Sequence, residues 1–542
     1  MRVAEAVGAA VAAAGVDHVF GVVGSGNFHV TNALVAGGAR FVAARHEGGA
    51  ATMADAYARM SRTVAAVTVH QGCGMTNAMT GITEAAKSRT PMIVLAAEST
   101  QPRSNFHVDQ EALARAVGAV PLRIDTAAGA AAVAAAAVWL AAQERRTVLL
   151  NLPLDVQGLE AEAPSSVRHV APGRPGPDDV GVTALVSALE SAARPVFVAG
   201  RGARGPGCRG ALVALADECG ALLATSAVAK GLFHDEAWSL DVSGGFATPL
   251  AAELIRGADL IVGWGCALNM WTMRHGRLIA PDATVVQVEC DADQIGVHRD
   301  VTFGVVGDVR ETALAARGRL SPRTGYRSVD LGAQIAAESR WRDVAYDDDS
   351  TGGQIDPRTL TIALDDLLPP ERVVAVDSGN FMGYPSMFLS VPDEFGFCFT
   401  QAYQSIGLGL ATAIGAALAQ PDRLPVAALG DGGALMGIAE LETVVRLGLP
   451  MVVIVYNDAA YGAEVHHFGP DGLGLDTVQF PDTDFAGIAR GFGFEAIRVE
   501  RVEDLAPVRA WLSGPRSAPL LVDAKVTRAR GSWWLEEAFR GH

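Results

Sequence analysis

Two aspartates in the last third of the chain have the type and spacing of a metal site. Asp431 lies in the sequence GDGG directly after the apolar run Val426–Leu429, and Asp458 follows a second run, Met451–Tyr456, 27 residues after Asp431. Both runs are typical of buried parallel strands, and open α/β sheets bind ligands at the carboxyl ends of their strands. Mg²⁺ takes one or two carboxylates together with substrate phosphates. The pattern predicts a site for Mg²⁺ and a diphosphate at this sheet edge.

The glycines beside Asp431 support the same interpretation. Gly432 and Gly433 let the backbone approach a bulky ligand, and the N–H groups at the start of a following helix favour an anion. The alternative is that GDGG is only a tight turn and that Asp458 caps a helix. The second strand, ending in Asn457-Asp458 at this distance, favours the metal and diphosphate site.

A single glutamate near the N-terminus also needs an explanation. Glu47 lies in RHEGGA, ahead of a helical Ala/Met/Tyr pattern in which burial is expected. A carboxylate that is buried without a partner is costly. Taken alone, the residues favour a helix cap or an ion pair with Arg45.

The elements that position these residues form a regular alternation along the chain. Short apolar runs alternate with Ala-rich helical segments, which is the signature of stacked βαβ units. Two polar segments rich in Pro, Ser, Gly or Asp, residues 163–179 and 321–358, are interpreted as surface linkers. We therefore predict three Rossmann-like α/β domains with mainly parallel sheets, at residues 1–165, 179–320 and 355–542.

Composition narrows the class of protein. The 542 residues carry a formal charge of −17, which argues against nucleic-acid or anionic-membrane partners because phosphates would be repelled. The six cysteines are scattered without a CxxC pair, so a reducing compartment is expected. No run reaches the ~20 apolar residues of a membrane span. A cytoplasmic protein is the expectation.

The GDGG and YND elements resemble the thiamin-diphosphate motif. The chain is similar, over nearly its whole length, to the thiamin-diphosphate enzymes related to pyruvate decarboxylase, acetohydroxyacid synthase and benzoylformate decarboxylase. The resemblance implies a pyrimidine-binding, a middle and a diphosphate-binding domain, in that order. It also implies that Asp431, Asp458 and the carbonyl of Ala460 hold Mg²⁺. The family commonly has Asn where this chain has Asp458, and the carboxylate keeps an oxygen ligand while adding negative charge.

The resemblance assigns Glu47 a role. RHEGGA is similar to the family's RHE-x-x-A element, whose glutamate contacts the cofactor's aminopyrimidine and promotes the tautomer that accepts the thiazolium C2 proton. Ile406 matches the aliphatic residue beneath the bent cofactor, although it also fits an ordinary core position. Further cofactor contacts are expected from the third domain, at Ser378, Gly379, Asn380, Gly432, Gly433 and Tyr461.

Five residues are candidates for the chemistry on the substrate. Ser25 and His70 match benzoylformate decarboxylase rather than the synthases, and Glu464 matches the catalytic glutamate of pyruvate decarboxylase. Gln110 resembles a family glutamine near the cofactor, and His466 would complete a proton relay with Glu464. Each also has a structural alternative. The Ser25 hydroxyl could simply hydrogen-bond the backbone of its turn, and the His70 imidazole could be an ordinary hydrogen-bonded side chain at a strand end.

These assignments lead to a predicted function. The chain is expected to decarboxylate a 2-oxo acid with thiamin diphosphate and Mg²⁺, with or without transfer of the acyl carbanion to a second carbonyl. Three alternatives stay open: an acetolactate-synthase-like carboligase, a flavin-containing form although FAD is not expected, and a non-catalytic paralogue. The resemblance implies a homodimer or a dimer of dimers with the active site at the subunit interface.

Overall fold

The computed structural model describes residues 1–163 and 175–538. The described residues contain three six-stranded sheets, and each pair of neighbouring strands is parallel. The predicted fold class, three Rossmann-like α/β domains, is confirmed. The first predicted linker, 163–179, lies mostly outside the described residues.

The first sheet has the order β2-β1-β3-β4-β6-β5. Successive residues of β1, Val19 and Phe20, belong to different hydrophobic cores, so helices cover both faces. The strands are β1 His18–Gly21, β2 Arg40–Ala43, β3 Ala65–Val69, β4 Met92–Glu98, β5 Val120–Arg123 and β6 Thr147–Pro153. The helices are α1 Val3–Ala13, α2 Phe28–Ala36, α3 Glu47–Ser61, α4 Cys73–Lys87, α5 Gln110–Ala116, α6 Ala130–Glu144 and α7 Leu154–Gln157.

The middle sheet has the order β12-β11-β10-β7-β8-β9. Its core is formed by its own strands and helices. In chain order the elements are α8 Asp179–Ser191, β7 Pro195–Ala199, α9 Cys208–Cys219, β8 Leu222–Thr225, β9 Ser239–Val242, α10 Pro249–Arg256, β10 Leu260–Trp264, β11 Thr284–Glu289, β12 Phe303–Val306 and α11 Val309–Arg317.

The glycine-rich loop of the middle domain packs against another loop. The strand order changes direction between β7 and β10, which is where such sheets bind nucleotides. Here the Gly202 N–H donates to the Gly265 carbonyl at 3.0 Å, and a Cβ on Gly202 would lie 2.7 Å from the Gly265 Cα. Close packing between the loops after β7 and β10 therefore accounts for Gly202.

The third sheet has the order β14-β13-β15-β16-β18-β17. One helix, α12 Val329–Glu338, lies within the segment 321–358 that the sequence predicted to be a linker. The strands are β13 Arg372–Val376, β14 Phe397–Phe399, β15 Leu424–Gly430, β16 Val452–Asn457, β17 Glu495–Val499 and β18 Leu520–Lys525. The helices are α13 Pro357–Leu367, α14 Gly383–Phe388, α15 Gly409–Ala419, α16 Asp431–Met436, α17 Glu440–Arg446, α18 Gly462–Phe468, α19 Phe485–Phe492, α20 Ala506–Ser513 and α21 Trp533–Ala538.

The first and third domains share one hydrophobic core. Met53 of α3 and Ile414 of α15 are both fully buried in it, together with strand residues of both sheets. The helices approach closely at Gly415, where a Cβ would lie 2.2 Å from the Met53 carbonyl oxygen. Burial of a shared apolar face fixes the two domains against each other. Within the described ranges, no helix has the length and apolar character needed to cross a membrane.

Candidate active site

The strand order of the first sheet brings Ser25 and His70 together. The order reverses between β1 and β3, so the loops that follow these strands lie side by side. Ser25 Oγ is 3.4 Å from His70 Nε2, and His70 Nδ1 is 3.1 Å from the Gln71 carbonyl oxygen. Because a carbonyl only accepts, Nδ1 carries the proton, and in the neutral form of the imidazole Nε2 is then an acceptor toward Ser25.

Glu47 lies at the same edge, at the start of α3. Its carboxylate accepts a hydrogen bond from Asn77 Nδ2 at 3.1 Å, and Gly74 of α4 lies between it and His70. The two structural roles that the sequence left open for Glu47 belong to other residues. His46 caps α3 by accepting from the Gly48 N–H, and the Arg45 guanidinium pairs with Glu442 of α17.

Gln110 holds the loop that follows β3. The side chain is buried, its Oε1 accepts from the Gly72 N–H at 3.1 Å, and its Nε2 donates to Asn151 Oδ1 at 2.8 Å. Both ends of the amide are thus bonded to the protein. The structure places Gln110 behind the His70 loop, where it supports that loop.

Asp431 and Asp458 follow neighbouring strands of the third sheet. In the pairing of β15 with β16, Gly430 stands opposite Tyr456, so the two aspartates emerge at one edge. Burial raises the pKa of Asp431 to about 6. Burial, followed by the negative charge of Asp431, raises the pKa of Asp458 to about 7. Asp431 is buried and Asp458 is partly buried, and two such carboxylates that repel each other favour a cation.

The surroundings of these aspartates differ from the two structural alternatives, a tight turn at GDGG and a helix cap at Asp458. Asp431 is the first residue of α16, and α16 follows β15 directly, as the sequence predicted. Asp458 Oδ1 accepts from the Ala460 N–H at 3.2 Å, whereas α18 begins at Gly462 without a side-chain cap. Ala460 itself is buried beside the pair.

The turn after Asp431 is packed tightly on two sides. A Cβ on Gly432 would lie 2.6 Å from the Tyr461 ring, and a Cβ on Gly433 would lie 2.2 Å from Asp377 Oδ2. Asp377 follows β13, at the point where the order of the third sheet reverses. The loops after β13, β15 and β16 therefore meet at one place, which includes Tyr461.

The loop of Ser378, Gly379 and Asn380 completes this edge. The Ser378 N–H donates to Asp377 Oδ1 at 2.8 Å, and Gly379 has a φ of 135°, a conformation that favours glycine. Asn380 is buried, and its Oδ1 accepts from the Ser532 N–H at 2.8 Å. This side chain therefore anchors the C-terminal segment beside the site.

Ile406 lies in the loop between β14 and α15. Unlike the residues of α15 that follow it, Ile406 is only partly buried and is not a member of the shared core. The N–H of the next residue, Gly407, donates to the Asp377 carboxylate at 3.0 Å. Asp377 therefore connects the Ile406 loop to the turn at Gly433.

Glu464 and His466, which the sequence combined in a proton relay, line different cavities. Glu464 lines a cavity of about 270 Å³ with Phe468, residues 473–475 and residues 477–478. His466 lines a larger cavity of about 690 Å³, walled by Trp341, Tyr384 and Trp533 among others. Burial, and then the charge of Arg528, lowers the pKa of His466.

The residues at the third-domain edge fit a divalent cation with a diphosphate. Two carboxylates face each other, and the part of the chain that the structure describes holds no group of three or more His, Cys, Asp or Glu side chains suited to a metal. A cation there would need further oxygen ligands, which a diphosphate supplies. Asp431 and Asp458 are therefore the residues that could hold the ion.

Three supporting residues were missed by sequence reasoning. Asp377 is not among the residues singled out from the sequence, although its carboxylate connects three site segments. Asn77, the partner of Glu47, gave no signal. Glu84 of α4 is fully buried and binds backbone N–H groups of the Ile406 loop. A lone acid in the otherwise uncharged stretch GMTNAMTGITEAA was the available sign.

Comparison with known proteins agrees with this architecture. Three models of the thiamine pyrophosphate enzymes match in order: the N-terminal TPP binding domain at residues 1–120, the central domain at 182–316 and the C-terminal TPP binding domain at 377–524. Together they span most of the chain and include β1–β4 of the first sheet, the whole middle sheet, and β14–β17 with most of β18 in the third. The domain order implied by the sequence motifs is thereby confirmed.

Curated relatives match along nearly the whole chain. A sulfoacetaldehyde acetyltransferase of Rhodobacter capsulatus is 28% identical, over 97% of this chain and 94% of that protein. An acetolactate synthase large subunit of Parasynechococcus marenigrum is 27% identical, over 96% and 86%. A probable 2-ketoarginine decarboxylase of Pseudomonas aeruginosa is 28% identical, over 91% and 88%. The chain belongs to the thiamine pyrophosphate enzyme family and is an enzyme of thiamin-diphosphate-dependent carbonyl chemistry.

Proposed function

We propose that this enzyme decarboxylates a 2-oxo acid with thiamin diphosphate and Mg²⁺ and ends the reaction by proton transfer. The observation that carries the proposal is the His70 imidazole. Its Nδ1 proton is held by the Gln71 carbonyl, and its Nε2 faces Ser25. An imidazole in a defined tautomer, at the edge that carries Glu47, is suited to move a proton to or from a substrate.

The two domains supply different functions in this proposal. When bound, thiamin diphosphate supplies the nucleophilic carbon for the 2-oxo carbonyl and takes up the electrons left by CO₂. Asp431, Asp458 and the Ala460 carbonyl hold Mg²⁺, and Gly432, Gly433, Tyr461 and residues 378–380 surround the diphosphate. Glu47 holds a proton at the aminopyrimidine, with Asn77 orienting its carboxylate. Ile406 supports the bend between the two rings.

His70 and Glu464 are assigned to proton transfer on the substrate. Ser25 orients His70 through its hydroxyl, and Gln110 keeps the loop of His70 in place from behind. Glu464 and His466 act separately, because they line different cavities. In this arrangement His466 contributes to the wall of the larger cavity rather than to a relay with Glu464.

The complete site is proposed to form between two subunits, in a homodimer or a dimer of dimers. Exposed apolar side chains lie in or beside the loops of both half-sites: Val23, Phe28 and Phe106 in the first domain, and Tyr403, Leu435 and Met436 in the third. Apolar side chains exposed on both half-sites are suited to burial against a second subunit. Light scattering at micromolar concentration would test this, and a stable monomer with full activity would contradict it.

Acyl transfer to a second carbonyl is the second candidate. Two of the relatives have names of a transferase and a synthase rather than a decarboxylase, a sulfoacetaldehyde acetyltransferase and an acetolactate synthase. Such a reaction needs room for an acceptor beside the first substrate. The cavity of about 690 Å³ beside His466 is of a size that small-molecule sites use.

A substrate panel separates the candidates. Purified protein would be loaded with thiamin diphosphate and Mg²⁺ and given pyruvate, 2-ketoarginine and aromatic 2-oxo acids, each with and without sulfoacetaldehyde or a second pyruvate. Mass spectrometry of the products is expected to show an aldehyde and CO₂. Ligated products only in the presence of acceptor would favour acyl transfer, and a yellow protein with bound flavin would favour the FAD-containing alternative. Absence of any turnover, with the cofactor demonstrably bound, would contradict both reactions and support a non-catalytic paralogue.

A further inference from the structure

In the loop that carries Ile406, residues 400–408, the side chains between residues 402 and 407 are exposed or only partly buried. Ala402, Tyr403 and Gln404 are exposed, and Ile406 is only partly buried. Gln404 also adopts a φ of 59°, which an L-residue rarely takes up. Hydrophobic burial cannot account for the conformation of such a segment, so its backbone must be held by hydrogen bonds.

A carboxylate of the first domain holds one end of this loop. Glu84 of α4 accepts from the Ala402 N–H at 2.9 Å and from the Tyr403 N–H at 2.6 Å. Arg59 of α3 donates from Nη1 to the carbonyl of Phe399, the last residue of β14, at 2.9 Å. Three backbone groups of the third domain are thus bound by two side chains of the first.

The two side chains belong to a buried ionic network. Arg59 pairs with Asp55 at 2.7 Å and with Glu84 at 2.8 Å, and it also donates to Ser88 Oγ. Burial alone would raise the pKa of Glu84. The charge of Arg59, with the N–H donors of Ala402 and Tyr403, outweighs that effect and holds the pKa of Glu84 below its usual range. The loop is therefore bound by an ionised carboxylate, which forms stronger hydrogen bonds than a neutral acceptor.

Asp377 holds the other end of the loop. Its carboxylate accepts from the Gly407 N–H at 3.0 Å and from the Leu408 N–H at 3.2 Å. Gln401 adds a longer bond from its Nε2 to the Val376 carbonyl at 3.4 Å. Ile406 thus lies between one carboxylate of the first domain and one of the third, and its position depends on both.

We propose that Glu84 and Arg59 are positioning residues that set Ile406 beneath the cofactor. This rests on the proposed function, because the role of Ile406 does. The network starts from the helix whose first residue is Glu47. Arg59 is twelve residues further along α3, about 18 Å at the helical rise. One rigid helix therefore carries the activating carboxylate at one end and holds the Ile406 loop at the other.

Hydrogen–deuterium exchange of the cofactor-free protein tests the physical part of the proposal. Glu84→Gln keeps the side-chain volume but places an NH₂ group near backbone donors, so one of the two bonds is lost. Exchange is expected to become about tenfold faster across residues 400–408, and not at β15 or β16. The matched control is Glu442→Gln, which breaks a surface ion pair between the same two domains and should leave the loop unchanged. Unchanged exchange in Glu84→Gln would overturn the proposal.

The loaded enzyme tests the functional part. The dissociation constant of Glu84→Gln for thiamin diphosphate is expected to be within threefold of that of wild type, because the diphosphate site is intact. C2 proton exchange is expected to be at least tenfold slower, because Ile406 no longer holds the cofactor in its bent form. C2 exchange at the wild-type rate, together with faster amide exchange at residues 400–408, would overturn the positioning role of Glu84 but not the proposed function. If wild type neither binds thiamin diphosphate nor exchanges C2, the proposed function has failed instead.

A milder variant covers the case in which Glu84→Gln does not fold. Ser88→Ala removes a hydroxyl that accepts from Arg59 and donates to Glu84 Oε1 at 3.2 Å, without touching a charge. It should show the same faster exchange at residues 400–408 and the same slower C2 exchange, each to a smaller extent. A Ser88→Ala protein that matches wild type in both measurements would contradict the proposal.

Discussion

Glu84 of the first domain and the aspartate pair of the third domain have opposite electrostatic surroundings. In the first domain, Glu84 is paired with the guanidinium of Arg59, and its pKa lies below the usual range. In the third domain, burial raises the pKa of Asp431 and Asp458 to about 6 and about 7, and the two charges oppose each other. The first network is complete within the chain. In the second, the positive charges of Lys525 and Arg528 leave both pKa values raised, so the site favours a cation from outside.

The contrast extends to the role of each domain. The ionised network of the first domain holds backbone and so fixes geometry. The aspartate pair of the third domain stores unfavourable electrostatic energy that ligand binding can release, which links binding to stability. Four experiments would break or sharpen this comparison.

The largest effect is expected from Glu47, the first-domain group assigned to direct cofactor contact. Glu47→Ala should slow C2 proton exchange of bound thiamin diphosphate by roughly 10²–10⁴-fold, because a positioned acid–base group is removed. The far-ultraviolet circular dichroism should be unchanged, since His46 rather than Glu47 caps α3. Nuclear magnetic resonance of the quenched cofactor measures the exchange. Exchange at the wild-type rate would refute the assignment.

A second effect should distinguish Glu464 from His466. Glu464→Gln is expected to slow product formation about 100-fold while changing the dissociation constant of the cofactor little, because it removes a proton donor. His466→Gln, in the other cavity, should change turnover less than tenfold. Steady-state kinetics with isothermal titration of the cofactor measure both. An equal loss of turnover in the two variants would support a relay between Glu464 and His466. Unaltered turnover in Glu464→Gln would exclude Glu464 from the mechanism.

Asp431→Asn should change stability in opposite directions with and without ligand. In the cofactor-free protein at pH 7, removing one of two like charges should raise the free energy of unfolding by about 3 kcal/mol. This value follows because the pKa of Asp431 is raised to about 6 in the folded protein. With Mg²⁺ and thiamin diphosphate the order should reverse, since wild type gains ligand binding that the variant lacks. Thermal melts in the two conditions measure this. Destabilisation of the cofactor-free variant would mean that the pair is balanced from within.

The smallest effect is a pH dependence of the Glu84 network. Arg59 and backbone donors lower the pKa of Glu84 in the folded state. The ionised carboxylate therefore contributes fully to the free energy of unfolding above the unfolded pKa of about 4.3. This contribution is lost as the pH falls through the lower pKa of the folded state. The stability difference between wild type and Glu84→Gln should be about 2 kcal/mol at pH 7 and should shrink below about pH 4. Asp55 and Arg59 are the charged groups that face Glu84. Denaturant melts across this range measure the difference, and a constant difference would contradict an ionised Glu84.

The sequence by itself determined the local elements and the family. Apolar runs that end in GDGG or in Asn-Asp can be recognised as strands with ligand-binding ends because strand periodicity and strand-end chemistry are local properties. Asp431 and Asp458 were predicted to meet for this reason, and β15 pairs with β16 as expected. The helix α12 in a predicted linker was missed, because a short, mostly exposed helix lacks a clear apolar period.

Only the tertiary structure decided which residues support the site. Glu84 lies more than 300 residues before the loop that it holds, and no periodicity connects them. Glu464 and His466 are two positions apart and looked like partners, yet helical geometry turns them toward different cavities. Contacts between distant segments depend on how whole domains pack, here through the core that α3 and α15 share. Spacing along the chain carries no information about that packing.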